Sequence, residues 1–180
     1  MAIVLYHALC MILVLTRLKS LARLASWNLR VMRWTLGISL VLVLGVLAPL
    51  LVFDPRAVGG PVVESLSLGE ARAFILFALF TMVVHVPLEE LFWRGIVLDR
   101  FRDGGRGVWA NVVLFWALHG AVLQPVLGLR AWILTAPTGL AGGIWAWVTL
   151  RTGSIWPALV SHLAVCAAML GVVWHFFVKA

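Results

Sequence analysis

The chain has 180 residues, of which 63% are hydrophobic and only 12% charged, with a mean hydropathy of +1.07. A soluble domain sits nearer half apolar and a quarter charged, so there is too little polar surface here to cover a globule in water. A net charge of +7 and a pI near 11.1 would suggest nucleic acid in a soluble protein, but the placement of the charges in an integral membrane protein accounts for them without it.

The first apolar run, Ala2–Thr16, is broken only by Tyr6 and His7. Its first basic residue, Arg17, follows the run instead of preceding it, which argues against a signal peptide. A short first transmembrane helix is expected. Arg17, Lys19, Arg23, Arg30 and Arg33 come next, without an acid among them. Lys19, Arg23, Ser26, Arg30 and Arg33 recur at steps of three and four, with Leu18, Leu21, Ala25 and Leu29 on another face. The segment reads either as a helix lying in the membrane interface or as a basic connector that orients the protein.

Five longer runs follow: Trp34–Phe53, Ala73–Phe92, Val108–Leu129, Ala131–Leu150 and Ile155–Val178. Each reaches or nearly reaches the roughly 20 residues a spanning helix needs. Between the first two lies Asp54–Arg72, where three acids outweigh Arg56 and Arg72. After Phe92 a second basic segment holds Arg94, Arg100, Arg102 and Arg106 against Asp99 and Asp103. The alternation follows the positive-inside rule and places both basic segments in the cytoplasm. The expected fold is all-α, a polytopic transmembrane bundle of about six helices. Residues 1–33 form a short first helix with its basic segment, and residues 34–180 a membrane-embedded core. The short basic loops point to a multi-pass protein of a bacterial inner membrane.

Smaller features fit that frame. Trp34, Trp109, Trp132, Trp147, Trp156 and Trp174 fall near run ends, where indoles favour the headgroup level. Gly139 and Gly143 form a G-x-x-x-G step beside Gly142, which permits close helix approach, within the bundle or between copies. Pro87, Pro125, Pro137 and Pro157 should kink or end helices locally. Cys10 and Cys166 show no disulfide or zinc-knuckle spacing.

A few polar residues sit inside these runs at a cost. A carboxylate at mid-membrane costs about 2.5–3.5 kcal/mol on insertion scales, so intramembrane acids generally face the bundle interior. Glu89, Glu90, His119 and His162 are the ones to explain. Glu90 and Arg94 are four apart, the spacing of an ion pair on one helix face. Phe115 and His119 share the same spacing, as do His162 and Cys166, so each pair projects to one place.

The three pairs lie within "EELFWR", "FWALH" and "HLAVC". In this order, over residues 73 to 170, they resemble the E-E-x-x-x-R, F-x-x-x-H and H-x-x-x-N motifs of the CPBP intramembrane proteases, the family of CAAX-prenyl and bacteriocin-processing enzymes. Cys166 departs from the family's usual Asn or Asp. The resemblance implies hydrolysis of a peptide bond in a membrane-associated protein or peptide. Glu89 would be the catalytic carboxylate and His119 the histidine that holds the attacking water with it. His162 and Cys166 would stabilise the oxyanion, with Glu90, Arg94 and Phe115 in support. Relatives of this kind process prenylated tails, bacteriocin leaders or C-terminal sorting signals, as myxosortases do.

The residues make chemical sense by themselves. Amide hydrolysis needs an activated water, a proton carrier and donors for the oxyanion. Two His and one Glu would also make a zinc set with an open position. The resemblance favours the route without a cofactor, and zinc is the alternative. A non-catalytic relative that binds membrane partners, or a small proton-linked carrier, is the competing class. His85, four residues before Glu89, reads as a packing or supporting residue, while His7 and His175 read as interfacial. Asn111 and Gln124 lie toward the two ends of the Val108–Leu129 run without a distinguishing signal.

Overall fold

The computed structural model describes residues 2–101 and 105–178; Arg102 and Asp103 of the second basic segment lie outside them. Every regular element among the described residues is helical. We number the helices α1 (Ala2–Leu21), α2 (Leu29–Leu47), α3 (Pro55–Ser65), α4 (Ala71–Arg100), α5 (Arg106–Leu127), α6 (Arg130–Leu134), α7 (Ala136–Thr152) and α8 (Trp156–Phe177). Lipid offers no partner for backbone N–H and C=O groups, so apolar runs of this length must bond internally as helix.

Five spans are long and apolar enough to cross a membrane: α2, α4, α5, the stack of α6 on α7 (Arg130–Thr152), and α8. They correspond to the five longer runs. The protein is a polytopic helical bundle. Helix α1 continues past the expected Thr16 to Leu21. Its inner side packs Cys10, Val14 and Leu21 with Leu88 of α4 and Ile155 near the start of α8. A second cluster, Ile38, Trp93, Phe115, Trp145, Val148 and Ala158, ties α2, α4, α5, α7 and α8 together. Outward-facing residues are large and apolar, such as Leu36, Val83 and Ile133. In water such a surface would drive aggregation, and in a bilayer it meets lipid tails.

The basic segment Arg17–Arg33 is not one interfacial helix. Helix α1 ends at Leu21, a 3₁₀ turn covers Ala22–Ala25, and Ser26 is extended. Asn28 then caps α2, its Oδ1 accepting from the Val31 N–H at 3.0 Å, so α2 begins at Leu29, five residues before the expected Trp34. Leu21 and Leu24 turn inward into the core, which removes the shared apolar face that an interfacial helix needs. The segment is a connector, stitched to the rest of its side of the bundle. Arg23 pairs with Asp99 at 2.7 Å. Ser154 Oγ–H donates to the Ser26 carbonyl at 2.6 Å, and the Ile155 N–H donates to the Leu24 carbonyl at 2.9 Å. The two basic segments and the α7–α8 connection therefore share one face.

The prolines divide by position. Pro137 and Pro157 open α7 and α8 in the first turn, where a missing N–H costs nothing. Pro87 lies inside α4 and is followed by continuing helix. The glycine step faces its own bundle. A Cβ on Gly139 would lie 2.7 Å from Trp116 Cβ and 2.9 Å from the Val112 carbonyl oxygen; one on Gly143 would overlap the Val112 side chain. These glycines bring α7 onto α5.

Candidate active site

Helix α4 presents the first motif, and it does so through irregular turns. Two π-helical stretches, Thr81–His85 and Leu91–Val97, flank the short α-helical piece Val86–Glu90. Pro87 cannot donate to the preceding turn, and the widened π turn lies just ahead of it. Such turns swing side chains off the regular 100° register and recur at functional sites. Glu89, Glu90, Trp93 and Arg94 all end up buried, with Glu89 1% and Arg94 2% exposed. These charges do not form a solvated helix end.

Glu90 and Arg94 form the expected i,i+4 pair, with Glu90 Oε2 3.1 Å from Arg94 Nε. The contact attracts by charge but lies off the axis of a hydrogen bond. The pair sits where four helices meet. Arg94 is held between the rings of Phe115 (5.0 Å to the centroid) and Trp145 (5.1 Å), and reaches the Gly142 carbonyl at 3.5 Å. Gly142 permits this, because a Cβ there would press on the Phe115 ring at 3.0 Å.

His162 joins the same group. Its Nδ1 is 2.8 Å from Glu90 Oε1, and Trp145 stacks on the ring at 4.3 Å and 23°. Trp145 is itself fixed by donating Nε1–H to Ser161 Oγ at 2.7 Å. Cys166 follows His162 by one turn on α8 and is half-buried.

His119 lies on α5 against Phe115, ring to ring at 4.4 Å. Its Nδ1 is 2.8 Å from the Phe115 carbonyl. A carbonyl only accepts, so Nδ1 carries the proton and Nε2 is left with a lone pair. His119 lies within electrostatic reach of Glu89 without touching it.

Glu89 has partners that the motifs do not contain. Tyr6 of α1 donates to Glu89 Oε1 at 3.0 Å, and Trp93 Nε1–H donates to the Tyr6 oxygen at 3.1 Å. His85 Nε2 stands 3.6 Å from Glu89 Oε2, and His85 Nδ1 lies 2.8 Å from His7 Nε2. His7 and His85 therefore both lie in the surroundings of Glu89. Glu89 Oε2 is buried without a hydrogen bond.

The three motifs thus converge on one place. Asn111 is buried on α5 with its amide donating to the Gly107 carbonyl at 2.9 Å, whereas Gln124 and His175 are exposed, away from the group. Sequence reasoning missed Tyr6, Trp93 and Trp145. Tyr6 and His7 carried one signal, being the only polar residues in the Ala2–Cys10 stretch; the tryptophans carried none among the chain's 10.

A family model described as type II CAAX prenyl endopeptidase, Rce1-like, matches residues 71–177, more than half of the chain. The chain belongs to this family. No curated protein and no solved structure matches it. The Rce1-like match runs from the start of α4 to the end of α8 and so contains all three motifs, while α1 with Tyr6 and His7 lies outside it. Family membership makes this an integral, multi-pass membrane protease of CAAX type, whose substrates are membrane-associated.

Among the described residues, no group of three His, Cys, Asp or Glu side chains is arranged to hold a metal ion.

Proposed function

We propose that this Rce1-like protease is a glutamic intramembrane endopeptidase in which Glu89 and His119 activate a water molecule against a substrate amide. The observation that carries the reading is the free Oε2 of Glu89, a buried carboxylate oxygen without a hydrogen bond, within electrostatic reach of His119. A water between them would give one proton to Oε2 and its second hydrogen bond to the His119 Nε2 lone pair. The hydroxide so formed attacks the scissile carbonyl, and Glu89 returns the proton to the leaving amine. The products are a carboxylate and a free amine, with no covalent enzyme intermediate.

The developing oxyanion needs donors. Glu90 orients the His162 ring and supplies the counter-charge for an imidazolium, whose Nε2–H then serves as donor. Cys166 is the second, weaker donor. A binding protein or a proton carrier has no need of this convergence on one buried carboxylate, so the enzyme is favoured. We further assign the protein to a bacterial inner membrane on its short basic loops, and its substrates to tails, leaders or sorting signals anchored there.

Comparison of the termini of membrane-anchored proteins in cells producing wild-type protein and in cells producing Glu89→Gln tests the assignment. New termini confined to the wild-type cells are expected. Identical termini in both, with both proteins inserted at equal levels, would contradict it.

A further inference from the structure

We infer that the first helix completes this protease: Tyr6, and His7 acting through His85, are positioning residues that hold the Glu89 carboxylate in its reactive orientation. The inference rests on the reading of Glu89 as the base. It concerns α1, which lies outside the segment matched to the family.

The direction of each hydrogen bond follows from chemistry. An indole N–H can only donate, so Trp93 Nε1 donates to the Tyr6 oxygen at 3.1 Å. The hydroxyl proton of Tyr6 is then directed at Glu89 Oε1, 3.0 Å away. This chain of two donors fixes one oxygen of the carboxylate. The second oxygen faces His85 Nε2 at 3.6 Å, and the His85 ring is set by His7 at 2.8 Å. When His7 Nε2–H donates to His85 Nδ1, the other ring nitrogen of His85 carries the proton; at 3.6 Å it is beyond hydrogen-bond distance of Oε2, so it orients the carboxylate by its dipole and leaves Oε2 open to water. Phe80 packs on both imidazoles, at 5.3 Å from His7 and 6.3 Å from His85, and keeps them in register. Each carboxylate oxygen retains a second lone pair, so the clamp leaves Glu89 able to take a proton from water.

Reacting groups must sit within about half an ångström of productive geometry. Tyr6→Phe removes one hydroxyl and nothing else. It should lower kcat about ten- to hundredfold, the worth of one hydrogen bond to a charged group, and leave KM within about twofold because the lost hydroxyl is the one bonded to Glu89. His7→Ala should lower kcat in the same way. His7→Gln keeps an N–H for His85 and should recover most of the turnover lost in His7→Ala, which a purely structural role would not produce. An infrared difference spectrum reads the contact without reference to turnover: the carboxyl band that disappears in Glu89→Gln should shift in Tyr6→Phe. Unchanged kcat in Tyr6→Phe, an unshifted band, or equal losses in both His7 variants would overturn the inference. A shifted band combined with full turnover of Glu89→Gln would instead sink the reading of Glu89 as base and, with it, the catalytic part of this proposal.

Discussion

Glu90 makes two contacts of different origin, and the contrast shows what spacing can reveal. Its pairing with Arg94 follows from an i,i+4 step on one helix and was readable from the sequence. Its 2.8 Å contact with His162 crosses 72 residues, and no local pattern announces it. The same holds for Glu89, whose tyrosine partner lies on a different helix. The pairing sets an expectation for Arg94. With Arg94 fully enclosed, Arg94→Ala would leave Glu90 as a buried charge short of its cation, a loss of about 3–5 kcal/mol. Thermal unfolding in detergent should show a sharply lower Tm, and an unchanged Tm would show that the pair does not carry the site's stability. Cys166 is the other residue to test, since a thiol S–H is a weak donor beside an amide N–H. If Cys166 serves the oxyanion, Cys166→Asn should retain or raise turnover and Cys166→Ala should cost modestly. Loss of all turnover in both Cys166→Asn and Cys166→Ser, with an acyl-enzyme trapped in the wild type, would make the cysteine the nucleophile.

At the scale of elements, hydropathy located the spanning helices well, because a run of apolar residues in lipid has no structure open to it but helix. Three features escaped. The π turns of α4 depend on how its face packs, with Pro87 the sole local hint. The break at Leu21 depends on Leu24 reaching the core cluster that includes Ile155, a contact with no periodicity. The G-x-x-x-G step was legible as a close approach but silent on its partner, which is α5. Substitution separates the two kinds of glycine. Gly139→Ala must push a Cβ against a backbone carbonyl 2.9 Å away, and overpacking of this kind costs about 1–3 kcal/mol. It should also lower turnover, because α5 carries His119. Gly37→Ala, on the outer side of α2, meets nothing within 4 Å and exchanges glycine for a better helix former. It should leave Tm unchanged or slightly raised, and a matching loss in both variants would refute the packing account.

For the whole molecule, the charge pattern sorted loops onto two sides, and contacts in the fold agree with the sorting. Arg23 meets Asp99, and the Trp156 indole donates to the Ala25 carbonyl at 3.0 Å, so these connections lie together. At the other end, Arg56 at the start of α3 lies over the Phe176 ring at 5.8 Å. Single cysteines at Ser20, Ser65 and Arg151, in a background lacking Cys10 and Cys166, fix the orientation. An impermeant reagent applied outside intact cells should label the Ser65 site and neither of the others; labelling of the Ser20 site from outside would invert the topology. What the sequence could not supply at this scale was the role of α1, since its link to Glu89 exists only once α1 is folded beside α4. The account as a whole turns on that carboxylate. The decisive measurement is single-turnover cleavage of a membrane-anchored substrate by purified Glu89→Gln protein in lipid bilayers, alongside substrate binding. The account predicts that binding persists while cleavage falls to background, because the amide keeps the shape of the side chain and loses its basicity. Cleavage at the wild-type rate would contradict it.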